Sequence, residues 1–389
     1  MLQFQRDLDF TAHLDRLGLD EFWCGEHHSS GWEMIASPEM FLAAAGQRTH
    51  RIMLGTGVVS LPYHHPFGVA QRMVQLDHMT GGRAMFGSGP GALPSDAHTY
   101  GIDPVELRDR QDEALGVVLR LLAGEPRFSY ECDWFTMRDA QLQLLPLQEQ
   151  MPAAVASMIS PSGMTLAGKH GTGVLSIGSM STDGIQALPM QWSFAEQAAA
   201  EAGRTVDRRD WRVVMSWHLA ETREQAREEA KHGLMRWHNE YIVGTLQRPG
   251  AVVYQDADEA IEQVTGGSDT NRSALPSIST ASAIVGTPDD LIEFIRAMQQ
   301  VTGGFGTLIG FAHDWANPEA TFRSWDLLAR YVVPAVNGFT TNLTGSMEFV
   351  AGNRAPFERA ATAIMNKIGE NERAAAAFAA TQGQANGDS

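Results

Sequence analysis

Glu26-His27-His28 places one carboxylate and two imidazoles at the end of a short apolar run. Neighbouring side chains on an extended segment project to opposite sides, so His27 and His28 cannot readily share a metal; one faces the mouth of the fold and the other an outer layer. At most one of them is expected to react. His64-His65, preceded by Tyr63, carries the same ambiguity between reacting and merely hydrogen-bonding. A metallohydrolase needs a His-x-His pair on one strand face with further carboxylate and histidine ligands, and neither adjacent pair supplies that. His313-Asp314 is the one further candidate, and it is weak, so no metal is expected. Gly87-Ser88-Gly89-Pro90-Gly91 lacks the third-glycine spacing of a dinucleotide loop, and Pro90 interrupts the amides that would face a pyrophosphate. It reads as a tight turn or as backbone touching a ligand. Ser157-Met158-Ile159-Ser160-Pro161-Ser162-Gly163 is either an anion site, built from hydroxyls and the unpaired amides of a helix start, or an ordinary Ser-Pro helix opening.

The elements that must hold these groups alternate. Leu8, Thr11, Ala12, Leu14 and Leu17 recur at helical spacing before Gly18, so the chain opens on a helix with no strand ahead of it. Residues 20–25 read as a strand, 40–47 as a helix started by Ser37-Pro38, and 52–59 as a strand ending near Pro62. A helix over 67–79 and a strand over 83–86 complete a βαβ unit, whose loops after the strand ends are where α/β proteins place their sites. Further along come a helix at 105–123, a hairpin at 128–137, strands at 151–157, 174–177, 211–219 and 305–311, and helices at 186–202, 222–243 and 317–336. Residues 247–283 show no clear period and form a lid-like insertion. About seven strands alternating with helices imply a doubly wound sheet or a (β/α)8 TIM barrel, here a barrel whose first strand is missing. The barrel is expected over 1–337 and a tail, helical near 373–380, over 338–389.

With 389 residues, 43% of them hydrophobic, the chain has ample core. A net charge of −17 argues against nucleic acid or an anionic membrane as partner. Cys24 and Cys132 make neither a disulfide framework nor a zinc spacing. The start of the chain has no leader pattern and no apolar run spans a bilayer, so a cytoplasmic protein is expected.

Glu26-His27-His28, Leu54-Gly55-Thr56-Gly57-Val58-Val59, Pro62, His65-Pro66, Asp77-His78-Met79-Thr80-Gly81-Gly82-Arg83 and the 86–91 segment, in this order, resemble the luciferase-like flavin-dependent monooxygenases. The resemblance covers residues 5–335, and the first hundred residues with Ala312-His313-Asp314-Trp315-Ala316-Asn317 are most similar to the limonene 1,2-monooxygenase-like branch. It implies a bacterial-luciferase-type barrel with reduced FMN at its carboxyl-terminal mouth, ahead of FAD or a deazaflavin, and oxygen activated at the flavin C4a position as a (hydro)peroxide. It also implies a small apolar, terpenoid substrate, a separate flavin reductase as transient partner, and a homodimer. By position, His27 matches the histidine needed for activity and His28 its neighbour. Gly57, Gly89, Ser157, Met158, Ser160, Ser162 and Gly163 fall on the flavin side, and Tyr63, His64, His65 and His313 around the pocket. Pro90 stands where the luciferase α subunit has a phosphate-contacting arginine. A deazaflavin-dependent dehydrogenase of the same fold and a non-catalytic flavin-binding homologue are the alternatives.

Overall fold

The computed structural model describes residues 2–177, 182–248, 250–266 and 282–377. The chain divides into two compact units, Met1–Val333 and Pro334–Ser389. In the first, α1 (Leu2–Leu17) leads to β1 (Glu21–Cys24), α2 (Pro38–Gly46) to β2 (Met53–Thr56) and the short β3 (Val59–Ser60), and α3 (Pro66–Thr80) to β4 (Ala84–Gly89). After α4 (Pro94–Thr99) and α5 (Leu107–Leu122) comes an antiparallel hairpin of β5 (Phe128–Glu131) and β6 (Thr136–Ala140). The alternation resumes with β7 (Ala153–Ser157), α6 (Ser162–His170), β8 (Gly173–Ser176), α7 (Thr182–Glu201), β9 (Trp211–Leu219) and α8 (Arg223–Trp237), which runs on as a π-helical segment, His238–Thr245. Then come α9 (Ala257–Val264), β10 (Ala283–Gly286), α10 (Pro288–Thr302), β11 (Thr307–Phe311) and α11 (Pro318–Leu327), with α12 (Val333–Val336) at the boundary between the units. The second unit contains α13 (Thr341–Gly352) and α14 (Arg354–Gly369).

The first unit is a nearly closed TIM-type barrel. Nine parallel strands form one sheet in the order β1-β2-β4-β7-β8-β9-β10, with β3 added on β4 and β11 on β9. Because every strand runs the same way, the carboxyl ends and the loops after them collect at one mouth. Among the described residues no strand precedes α1, and β1 and β11 each have a single sheet neighbour. Helix α1 is fixed at its carboxyl end by Asp15, whose carboxylate accepts the amides of His50, Arg51 and Ile52 at 3.0, 2.9 and 2.8 Å. Phe10 packs edge-on against Phe322 and Trp325 of α11.

The amino-terminal end of the barrel is filled by side chains. Arg212 on β9 reaches across the interior to Glu21 on β1 with two bonds of 2.7 Å, and the pair is largely buried. The Trp23 indole donates to the same Glu21 at 2.9 Å. Its ring lies where a Cβ on Gly55 would sit, only 2.4 Å away, so glycine there is what admits the indole.

Several expectations are corrected. The strand read over 52–59 is two pieces separated by a cis Gly57–Val58 peptide. Gly87-Ser88-Gly89 is not a turn but the end of β4: the Thr56 hydroxyl bridges the backbone of Gly87, and a Cβ there would stand 2.0 Å from the Thr56 carbonyl oxygen. The insertion at 247–283 contains helix α9, whose Ala257, Ala260, Ile261 and Val264 are buried, and gives way to strand β10; its residues 267–281 lie outside the described residues. The tail is helical well before 373, and residues 378–389 are outside the described residues.

Candidate active site

The chain leaves β1 through Glu26-His27-His28, and three carboxylates, Glu26, Glu33 and Asp96, organise the groups around this strand end. The loop after His28 is folded back by Ser30, whose hydroxyl oxygen accepts the amides of Trp32 and Glu33 at 3.2 and 2.8 Å, a serine turn that returns Glu33 toward the strand end. The His27 amide donates to Ile35 O at 3.1 Å and closes the same loop. His27 Nε2 pairs with Glu33 Oε2 at 2.8 Å. His27 Nδ1 lies 3.5 Å from Asp96 Oδ2 on α4 but outside hydrogen-bond geometry, so it is a buried nitrogen without a partner. Burial opposes a charge on this ring, yet Glu33 and then Asp96 outweigh it, and the His27 pKa is raised above its ordinary 6.5. Burial likewise pushes Glu33 up, while its bonds to His27 and to the Tyr241 hydroxyl, 2.8 Å away, bring it below the usual glutamate value.

Glu26 is fully buried and holds the next two histidines. Its Oε1 accepts from His28 Nε2 at 2.9 Å and His64 Nε2 at 2.7 Å, and its Oε2 from the Ser60 amide at 2.7 Å. Asp96 adds the His28 amide at 3.3 Å and the Ser29 hydroxyl, tying α4 to the loop after β1. His27 and His28 thus diverge to different carboxylates. His65 goes elsewhere: its Nδ1 accepts the Phe67 amide at the start of α3 and its Nε2 faces Thr136 O on the hairpin, 3.3 Å away.

Tyr63 stacks on Tyr100, with ring centroids 4.7 Å apart and planes 4° from parallel, and both rings meet the edge of His28. The Tyr63 hydroxyl is buried and unpartnered, and burial pushes its pKa up to about 12. Gly91 has φ +89°, and a Cβ there would lie 2.3 Å from the Tyr63 oxygen, so both conformation and space require glycine. Gly57 and Gly89 are also crowded: their Cβ positions fall 2.9 Å from the Trp23 Cβ and 2.6 Å from a Val58 methyl.

On β7, Ser157 is buried beneath the start of α6 and its hydroxyl has no partner. Gly163 lets that helix touch the strand, since a Cβ would stand 2.4 Å from Ala156 O. The first turn of α6 has no side-chain cap; Pro161 occupies the cap position, and the exposed Ser160 and Ser162 hydroxyls bond each other at 3.0 Å. Free first-turn amides, two hydroxyls and the helix dipole suit a phosphate group. Met158 is exposed, and its carbonyl is held by the Gln191 side chain at 2.7 Å. His313, just past β11, stacks on Trp315 with centroids 4.0 Å apart, meets Trp237 and Phe311 at 4.7 Å, and bonds the Ser216 hydroxyl at 2.8 Å. Burial pushes its pKa down to about 3, so the ring is neutral. Among the described residues no group of three or more histidine, cysteine or acidic side chains could hold a metal, and no helix is long and apolar enough to cross a membrane.

The chain as a whole has counterparts among known proteins. The family model for luciferase-like monooxygenase matches residues 2–303. The chain belongs to that family. Within it, the 4-hydroxyprotoasukamycin monooxygenase of Streptomyces nodosus subsp. asukaensis is 46% identical over 92% of this chain and 94% of its own length. Limonene 1,2-monooxygenase of Rhodococcus erythropolis is 44% identical over 95% of this chain and 92% of its own. The oxygenating constituent of 3,6-diketocamphane monooxygenase from Pseudomonas putida, a type II Baeyer–Villiger monooxygenase solved in complex with FMN, superposes with TM-score 0.70 at 28% identity, over 86% of this chain and 93% of its own. As a member of this family the chain is an oxidoreductase, and the two relatives above are monooxygenases.

Sequence reasoning missed Glu33, Asp96, Tyr100 and Tyr241. Glu33 is a lone acid in a loop, Asp96 a lone acid in the first turn of the short α4, and Tyr241 meets Glu33 across 208 residues, a pairing that no local pattern announces. The one available signal was Glu26, the first residue of the motif of this luciferase-like member, a carboxylate two positions from the imidazole it holds.

Proposed function

We propose that this protein is the oxygenating component of a two-component flavin-dependent monooxygenase, taking reduced FMN from a separate reductase and inserting one atom of oxygen into a small apolar, terpenoid-like substrate. The observation that carries the reading is His27: an imidazole gripped through Nε2 by Glu33, with Nδ1 buried and unspent, at a strand end of a family with an FMN-bound member. The high identity to two monooxygenases supports the oxygenase class over hydride transfer. When bound, reduced flavin supplies the two electrons that activate oxygen, one atom of which leaves as water.

The chain's own residues do the rest. Ser160, Ser162 and the first amides of α6 hold the phosphate with neutral donors and the helix dipole, in place of an arginine. His27 presents a proton at Nδ1. Tyr63, Tyr100 and the rings around His313 exclude water, which protects a reactive oxygen species from wasteful breakdown.

The test is an anaerobic titration with reduced FMN, then mixing with oxygenated buffer containing limonene or a bicyclic ketone, with product and hydrogen peroxide both measured. The expected result is oxygenated product, and in His27→Ala retained flavin binding with oxygen released mainly as peroxide. Equal coupling in variant and parent, or turnover of a deazaflavin without oxygen uptake, refutes the reading.

A further inference from the structure

We propose that Glu33 is the positioning residue of His27, clamping Nε2 so that Nδ1 is the atom offered to the reacting group, and that the Tyr241 hydroxyl holds the clamp from the π-helical segment His238–Thr245. This rests on the role proposed for His27 in the oxygen reaction. An imidazole that donates through one nitrogen has its ring plane and its second nitrogen fixed by that bond, as second-sphere carboxylates fix histidine ligands elsewhere. Here Nε2 is committed at 2.8 Å, and Nδ1 is the buried, unpartnered corner.

Asp96 complements this arrangement. At 3.5 Å it is close enough to favour a proton on Nδ1 but is not aligned to accept it, and its oxygens take the His28 amide and the Ser29 hydroxyl. The charged and titratable groups facing the ring are Glu33 from its own loop and Asp96 from α4; Tyr241 from the π-helical segment faces Glu33. The direction of the His27 shift is set by the two carboxylates.

The clamp is also a joint between distant elements. Tyr241 donates to Glu33 at 2.8 Å, and the Thr245 hydroxyl donates to Ser30 O at 3.3 Å in the same loop. Trp32 lies against Tyr241, and the Arg236 guanidinium lies over Trp32. A π-helical stretch continuing a regular helix is where functional groups are often re-aimed, and here it turns Tyr241 onto the loop that carries His27. Loss of the Tyr241 bond is therefore expected to loosen the imidazole without removing its carboxylate.

The test reads His27 directly in the ligand-free protein, by pH titration of its ring resonances in protein labelled at histidine carbons, assigned by the signal lost in His27→Ala. In Glu33→Gln, which keeps the size of the side chain and an oxygen for Tyr241, the His27 midpoint is expected to move to lower pH. In Tyr241→Phe the resonance is expected to broaden or shift while titration persists. An unmoved midpoint in Glu33→Gln overturns the proposal; should that variant not fold, Glu33→Ala, which also removes the charge, gives the same reading, with an unmoved midpoint again decisive against it. The oxygen reaction separates the two claims. If the midpoint falls in Glu33→Gln but the share of oxygen released as peroxide in the presence of limonene stays at the parent value in both Glu33→Gln and His27→Ala, the clamp stands and the role given to His27 fails.

Discussion

Lowering the pH should destabilise this protein through His313 in a predictable amount. The ring is stacked on Trp315, enclosed by Trp237 and Phe311, and bonded only to the Ser216 hydroxyl, so burial holds its pKa near 3 against 6.5 when unfolded. A folded pKa below the unfolded one for a base means that unfolding takes up a proton. The stability is fully present above pH 6.5 and is lost progressively as the pH falls from 6.5 toward 3. At pH 5 the loss is 1.5 units at about 1.4 kcal/mol each, or about 2 kcal/mol. The assay is urea unfolding followed by tryptophan fluorescence at pH 7.5 and pH 5, for the parent and for His313→Asn, which removes the titrating ring and keeps a polar partner for Ser216. Other acid-sensitive groups contribute to both proteins and cancel in the difference. The parent should lose about 2 kcal/mol more than the variant over that interval; equal losses would refute the claim that the buried ring stays neutral.

Other parts of the molecule respond in equally definite ways. His27 should act in the opposite sense to His313: its raised pKa gives stability that is full below 6.5 and lost as the pH rises through the folded value, so the alkaline side of the stability profile should flatten in His27→Ala. Glu21→Gln or Arg212→Met alone should cost about 3–5 kcal/mol in denaturant unfolding, because each strands a buried charge, and the double variant should recover most of the loss; additive losses would show that the pair is not coupled. Gly163→Ala should push α6 off β7 and weaken reduced-FMN binding in an anaerobic titration more than a Ser160→Ala change does. Thr287→Ala should remove the capping box of α10 and lower stability by about 1 kcal/mol, measurable by thermal melting.

Much of the barrel was legible because its code is local. Residues 67–79 show helical spacing and end at Gly81, which adopts φ +70° as a helix stop should, and β9 is a nine-residue, mostly apolar strand buried at every position. What failed is equally physical. Strand β10 is four residues long, too short for a period to register, and it is strand because it pairs with Ser216 to Leu219 of β9. Helix α9 did carry a signal, an Asp256 cap accepting two amides and buried positions at 257, 260, 261 and 264, but the polar residues around it masked the pattern. In the site, His27 was recognisable from its motif and strand end. Its partners were not, since Glu33 and Asp96 gain their roles only when the loop after β1 and helix α4 meet.

The filled amino-terminal end of the barrel has a kinetic corollary. Trp23, Glu21 and Arg212 occupy that end, which leaves the carboxyl-terminal mouth as the side on which a ligand would sit. A bulky guest held at α6, as proposed above, would stand at that mouth, and smaller molecules would have to pass around it or arrive earlier. If the proposed oxygenation takes place there, widening that mouth should raise throughput at the expense of oxygen released as peroxide.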